Sequence, residues 1–308
     1  MSLLVTGSLG IDTVETPAGK AENVMGGSGV YFAFAASFFT PVRLVGVVGE
    51  DCPNEFLYIL KENPNIDTSG IEVRKGAKTF RWHGKYHDDL NQRDTIAVDL
   101  NVLAESGPNI PEKFRDSKFV FLANTHPELQ LGLLSQLNSS TAAPHSSKLI
   151  VADTMDLWIS TQREKLMALL ERLDGLVLND AEAGLLTEEK NLVFAGKQIA
   201  QHVQRFVIIK KGEHGSLLFV DDEVFPIPAW PAVDIIDPTG AGDSFAGAMM
   251  GYLAQTKSLD ADNLKKAAAY GTVTASFTLE DFSLNRLRQI TREQIDERMK
   301  RFEQILQI

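Results

Sequence analysis

The sequence predicts an α/β fold with a mostly parallel central sheet, helices on both faces and a small β lid. Three observations carry that prediction. Short, continuously apolar runs rich in β-branched and aromatic residues recur along the chain, stretches with helical spacing lie between most of them, and several runs end in a polar residue.

Leu3-Leu4-Val5 opens the series, and Val30 to Phe39 reads as a buried helix. Val42 to Val48, Phe119 to Leu122, Leu149-Ile150-Val151, Gly175 to Leu178 and Phe206 to Ile209 read as buried strands. Gln162 to Leu173 and Leu192 to Val203 carry helical spacing between them. Four runs end in polar residues: Ala123 leads to Asn124, Ala152 to Asp153, Leu178 to Asn179 and Ile209 to Lys210-Lys211. Ligands of open α/β sheets sit beyond the carboxyl ends of the strands, so the repeated pattern locates a site; one such residue alone would only mark where a strand meets water.

Residues 10–25 and roughly 74–100 break the rhythm. Thr79 to Tyr86 alternates, with Phe80, Trp82 and Tyr86 on one face, and Asp94 to Leu100 reads as a returning strand. Together they predict a discontinuous β lid within a single domain of residues 1–308. From Asp243 onward the chain is helical over Ser244 to Ala254, Asp262 to Phe277 and Thr291 to Ile308; the last places Ile295, Met299, Phe302 and Ile305 on one face.

Composition excludes several classes. With 44% hydrophobic and 23% charged residues the chain has material for a real core, which excludes disorder, coiled coil and collagen. The lone Cys52 excludes an internal disulfide framework and a four-thiolate metal site. The net charge of −11 argues against nucleic acid as a partner. It also disfavours a polyanionic substrate unless local lysines, amides or a divalent cation offset the field. The apolar stretch Val30 to Phe39 is half the ~20 residues a membrane span needs. Met1 to Gly7 lacks the basic start of a signal peptide, so a soluble cytoplasmic protein is expected.

Asp237-Pro238-Thr239-Gly240-Ala241-Gly242-Asp243-Ser244 is the most informative segment. The strand-like run Val233 to Ile236 precedes it and a helix follows. Gly240 and Gly242 allow a tight turn, and the helix start adds unpaired N–H groups and partial positive charge. The expectation is an anion hole that needs no lysine, with Asp243 at its mouth accepting a proton from a substrate hydroxyl during phosphoryl transfer. Taken alone, the same residues also fit a plain turn with Asp243 as a helix cap.

The stretch resembles the C-terminal signature of the ribokinase-like (PfkB) family, whose members phosphorylate primary hydroxyls of sugars, sugar phosphates and nucleosides with ATP and magnesium. Met25-Gly26-Gly27-Ser28-Gly29-Val30-Tyr31 resembles the family's N-terminal signature, and Gly7 to Asp12 its first strand. Val45 to Asp51 is similar to the strand and turn that come next. Asn179-Asp180-Ala181-Glu182 fits an Asn-x-x-Glu motif, and Lys211-Gly212-Glu213-His214-Gly215 fits the glycine turn beside the nucleotide. The chain departs from the pattern at Tyr31, where an acceptor-contacting Asn is usual, at Lys210 or Lys211 in place of Thr, and at Pro238 in place of Thr.

The resemblance implies Asp243 as base, with Gly240, Ala241 and Gly242 stabilising the phosphoryl charge. It implies acceptor contacts from Asp12, Gly26, Gly27, Tyr31 and Asn124, and nucleotide contacts from Lys210, Lys211, Gly212, Gly215 and Thr239. Asn179 and Glu182 would organise Mg2+ through water, as magnesium dehydrates reluctantly. In some members the residues matching Asp237 and Thr239 hold a monovalent cation such as K+. Members also dimerise through the lid. Tyr31 and the Phe80/Trp82 face lean toward a nucleoside, whose base they would stack on, over a plain sugar.

Rival readings fail on residues. Gly19-Lys20 and Gly196-Lys197 lack the rest of a P-loop, and Gly240-Ala241-Gly242 lacks the third glycine of a dinucleotide fingerprint. His83 and His87, four apart on a strand, lie ~13 Å apart, too far to share a metal. The alternative from a different class is a catalytically silent small-molecule-binding or sensor protein on the same scaffold, against which the intact Asp243 argues.

Overall fold

A computed structural model describes residues 2–138 and 148–306. In chain order its strands are β1 (Leu3–Thr6), β2 (Gly10–Thr16), β3 (Gly19–Gly26), β4 (Val42–Gly49), β5 (Ile66–Arg74), β6 (Phe80–Tyr86), β7 (Arg93–Asp99), β8 (Phe119–Leu122), β9 (Leu149–Asp153), β10 (Gly175–Asn179), β11 (Phe206–Lys210), β12 (Ser216–Val220) and β13 (Glu223–Ile227). The α-helices are α1 (Ser28–Ser37), α2 (Asn54–Glu62), α3 (Pro127–Asn138), α4 (Asp156–Thr161), α5 (Arg163–Leu170), α6 (Asp180–Thr187), α7 (Leu192–Ala200), α8 (Ala241–Thr256), α9 (Ala261–Thr278) and α10 (Arg292–Leu306).

Nine strands form the large sheet among the described residues, in the order β13-β12-β11-β10-β9-β8-β1-β4-β5. From β11 to β5 every neighbouring pair is parallel; β12 and β13 add an antiparallel edge. Alternate residues of each inner strand enter opposite cores. Leu3, Val5, Phe121, Val151 and Ile208 pack with α1, α8, α9 and α10. Leu4, Val120, Leu122, Ile150 and Val207 pack with α3, α5, α6 and α7. Burial on both faces is why these runs carry no polar alternation.

The chain order reverses at β1. From there it runs outward through β4 and β5 on one side and through β8 to β11 on the other. Crevices at such reversal points, beyond the carboxyl ends of the strands, are where these sheets bind ligands. The first helix after the reversal, α1, lies tight against α8, because Gly247 lets the Phe32 backbone approach; a methyl at Gly247 would lie 2.9 Å from Phe32 Cα.

A second sheet among the described residues has four strands in the order β3-β2-β6-β7. Residue 74 closes β5 of the large sheet, so the later part of this second sheet begins at Phe80. His83 pairs with Glu15 and His87 with Asp94, each at 3.1 Å. One expectation fails here. Val233 to Ile236 is not a strand, because no neighbouring strand pairs with it; Val233 is 92% exposed, and the Ile236 amide instead donates to the Leu279 carbonyl at 2.8 Å. Of the terminal helix, residues 307–308 lie outside the described residues. No helix among the described residues is long and apolar enough to cross a membrane.

Candidate active site

The turn into α8 is built from Asp237 upward. The buried Asp237 carboxylate accepts the amides of Thr239 at 2.8 Å and Ser283 at 3.3 Å, which pins the loop. Gly240 takes φ 75°, a left-handed backbone that glycine adopts without cost, and caps α8. The Tyr31 ring lies directly under it, where any Cβ at Gly240 would fall. Tyr31 therefore supports the turn as well as lining the cleft, which its sequence position did not disclose. Ala241 donates its N–H to Pro238 at 3.2 Å, so its amide serves the turn itself. The Gly242 amide, in the first helical turn, has no acceptor within the helix.

A lysine also stands beside the amides of this turn. A methyl at Gly242 would lie 2.7 Å from Lys210 Nζ. Lys210 reaches it from the end of β11, which the sheet places beside the start of α8; the two residues are 32 positions apart, and only the tertiary fold joins them. A side chain at position 242 would push this ammonium group aside.

Around the turn gather more carboxylates than cations. Burial raises Asp243 to about 6, against the pull of Lys210 and Arg93. Burial, then Asp237 and Asp243, raises Asp12 to about 8. Asp153, at the end of β9, is pushed up by burial and by Asp243. Burial also raises Glu182 and Asp237. Asp12 Oδ1 and Asp153 Oδ1 are buried without a hydrogen-bond partner among the described residues. Such orphaned acceptors, among carboxylates of which Asp153, Glu182 and Asp243 feel the charge of Lys210, suit a site completed by a divalent cation. Among the described residues no three His, Cys, Asp or Glu side chains are grouped so as to hold a metal ion.

Asn179 and Glu182 form a reciprocal capping box at the start of α6. Asn179 Oδ1 accepts the Glu182 amide and Glu182 Oε2 accepts the Asn179 amide, both at 2.7 Å. The motif thus fixes its own helix and leaves Glu182 Oε1 to face the charged cluster. At the glycine turn, Lys211 donates its amide to Gly215 at 2.7 Å, while Gly212 and Gly215 take φ 52° and 79°. Thr239 Oγ1 donates to the Tyr86 hydroxyl at 3.2 Å. The side-chain atoms of Asp237 and Thr239 are thus held by protein partners.

A cleft of about 880 Å³ opens in front of Asp243, lined also by Asp12, Gly27, Tyr31, Asn124, Thr239 and Gly240. Gly26 makes room for the Asp12 carboxylate, which any Cβ there would strike. Asn124 is oriented by Trp158, whose Nε1 donates to its Oδ1 at 2.9 Å. Trp82 and Phe80 of the second sheet form the opposite wall with Val98, which lies across from Trp82 in the β6/β7 register. Arg93, Trp158 and Asp153 went unassigned from sequence. Asp153 was visible as a polar strand end, whereas nothing in the sequence places Arg93 or Trp158 on the cleft.

The chain matches the pfkB family carbohydrate kinase description over residues 3–289 and belongs to that family. It is 30% identical to a cytidine kinase of Thermococcus kodakarensis over 258 residues, 82% of this chain and 88% of the other. It is 33% identical to a nucleoside kinase of Methanocaldococcus jannaschii over 241 residues, 77% of this chain and 73% of the other. A Burkholderia thailandensis nucleoside kinase in complex with inosine superposes with a TM-score of 0.79 at 18% identity, covering 99% of this chain and 98% of the other. An E. coli putative ribokinase II in complex with ATP and Mg2+ gives 0.76 at 18% identity, covering 98% and 100%. The fold is that of ribokinase, and the protein is a sugar or nucleoside kinase of this family.

Proposed function

We propose that the protein transfers the γ-phosphoryl group of ATP to a primary hydroxyl of a ribonucleoside, with Asp243 as general base. The observation that carries this is the position of Asp243. It lies in the first turn of α8, beside the Gly242 amide and the Lys210 ammonium group, on the wall of a cleft shared with Asp12. A carboxyl raised to about 6 is ionised at neutral pH yet basic enough to take a hydroxyl proton.

Asp12 and Asn124 orient the acceptor so that its hydroxyl meets Asp243. The alkoxide oxygen attacks phosphorus as the bridging oxygen of ADP departs. The Gly242 amide and Lys210 hold the charge spread over the phosphoryl oxygens. Mg2+, when bound, would neutralise phosphate charge; Glu182 and Asp153 are the residues placed to hold its water shell. The second sheet serves as a lid that keeps water from the transferring group. Two features support the nucleoside over a plain sugar: the aromatic walls at Trp82 and Trp158 offer a base faces to stack on, and relatives aligned over 82% and 77% of this chain are by name a cytidine kinase and a nucleoside kinase.

Purified protein with Mg-ATP and a panel of ribonucleosides and sugars tests the reading. Turnover with a ribonucleoside is expected, and turnover with sugars alone would reject the acceptor assignment. Asp243→Asn should lower kcat by about 10²–10⁴-fold. Unchanged phosphorylation by that variant would reject Asp243 as the base.

A further inference from the structure

The second sheet touches the catalytic loop at more points than a cover for the acceptor requires. Thr16 Oγ1, on β2, donates to the Ile236 carbonyl at 2.8 Å. Thr239 Oγ1 donates to the hydroxyl of Tyr86, the last residue of β6, at 3.2 Å. In the hairpin between β6 and β7, Asn91 sits so close to Gly212 that a methyl there would strike its Oδ1. Ile236 and Thr239 lead into the anion hole, and Gly212 belongs to the glycine turn. None of the three is among the residues that hold the acceptor in the reading above.

Tyr86 makes the contact closest to the base. It lies across from Arg93 in the β6/β7 register. Arg93 in turn acts on Asp243. Tyr86 is only 7% exposed, so its ring is fixed by packing and its hydroxyl is delivered to one place. A chain of contacts therefore runs from the lid through Tyr86 to the turn that carries the base and the anion hole.

We propose that Tyr86 is a positioning residue for phosphoryl transfer, its hydroxyl tying the lid sheet to Thr239 so that the catalytic turn keeps its reactive shape beneath the lid. The inference rests on the kinase reading above. It explains how the site avoids wasting ATP. Loss of this tie would loosen the lid over the turn and let water attack the γ-phosphoryl group, giving ADP and inorganic phosphate in place of phosphorylated acceptor.

The readout is the ratio of acceptor phosphorylation to acceptor-independent ATP hydrolysis, measured on the full-length protein with Mg-ATP and the best acceptor from the panel. Tyr86→Phe keeps the buried ring and loses only the hydroxyl. It should lower this ratio about tenfold while KM for the acceptor stays within about twofold. Thr16→Val, which removes the other hydrogen-bonded tether, should lower the ratio in the same direction. Tyr58→Phe, on the exposed face of α2 at 61% exposure, should leave it unchanged. A purely structural role would lower the melting temperature and both rates together, leaving the ratio intact. A ratio within about twofold of wild type in both Tyr86→Phe and Thr16→Val overturns the inference while the kinase reading stands. Wild-type protein that phosphorylates no acceptor overturns the reading, and the inference with it.

Discussion

At Asp243, local sequence and tertiary burial act on a single carboxyl group. The sequence alone places it one turn into a helix behind two glycines; burial in the cleft raises it to about 6, and Lys210 and Arg93 restrain the rise. A base works only when ionised. The kcat/KM for the acceptor should therefore fall tenfold per pH unit below about 6 and level off above it. Lys210→Met removes a cation that favours the ionised form, so the acid limb should move to higher pH, which separates it from titration of ATP itself. A limb that stays in place in this variant would count against the coupling of Lys210 to Asp243. The Asp243 motif was legible because its parts are contiguous in sequence. Lys210, Arg93 and Asp153 come from other strands, so nothing in the spacing of residues 237–244 announces them.

Among the elements, those whose pattern reflects one environment were legible. β8 and β11 are buried on both faces and read as unbroken apolar runs. β5 was not read, because Ile66 to Arg74 mixes Asp67, Ser69, Gly70 and Glu72 into a strand that forms the edge of the large sheet. Val233 to Ile236 has strand composition but no neighbour to pair with, and composition cannot supply one. The α1 and α8 pairing depends on close backbone approach. Gly247→Ala places a methyl against the Phe32 backbone, which cannot yield as a side-chain tip would. We expect a loss of about 1–3 kcal/mol, read as a lower urea midpoint with unchanged slope. Wild-type stability in that variant would show that the helices can part freely.

For the whole molecule, the cluster of buried acids sets a pH dependence opposite to that of ordinary surface carboxylates. Asp12 rises from 3.8 to about 8 and Asp243 to about 6, with Asp153, Glu182 and Asp237 shifted the same way. A raised carboxyl favours folding while neutral. Its contribution is complete below the unfolded value and lost as pH climbs through the folded value. The melting temperature of the ligand-free protein should therefore fall between about pH 5 and pH 9. Asp12→Asn should flatten the upper part of that fall, because the amide has no charge to bury. A melting temperature that rises across this interval would contradict the burial of these groups.

By itself the sequence determined the α/β class, most of the large sheet, the glycine turn that opens α8 and the family to which the chain belongs. These follow from patterns repeated within a few residues, where each side chain reports its own surroundings. The tertiary structure alone decided that Lys210 stands over Gly242, that Tyr31 underlies Gly240, and that Trp82 and Trp158 face one cleft. It also decided that the second sheet is tied to the catalytic turn through Tyr86. Each of these joins residues far apart along the chain, and sheet order, which no local pattern encodes, brings them together.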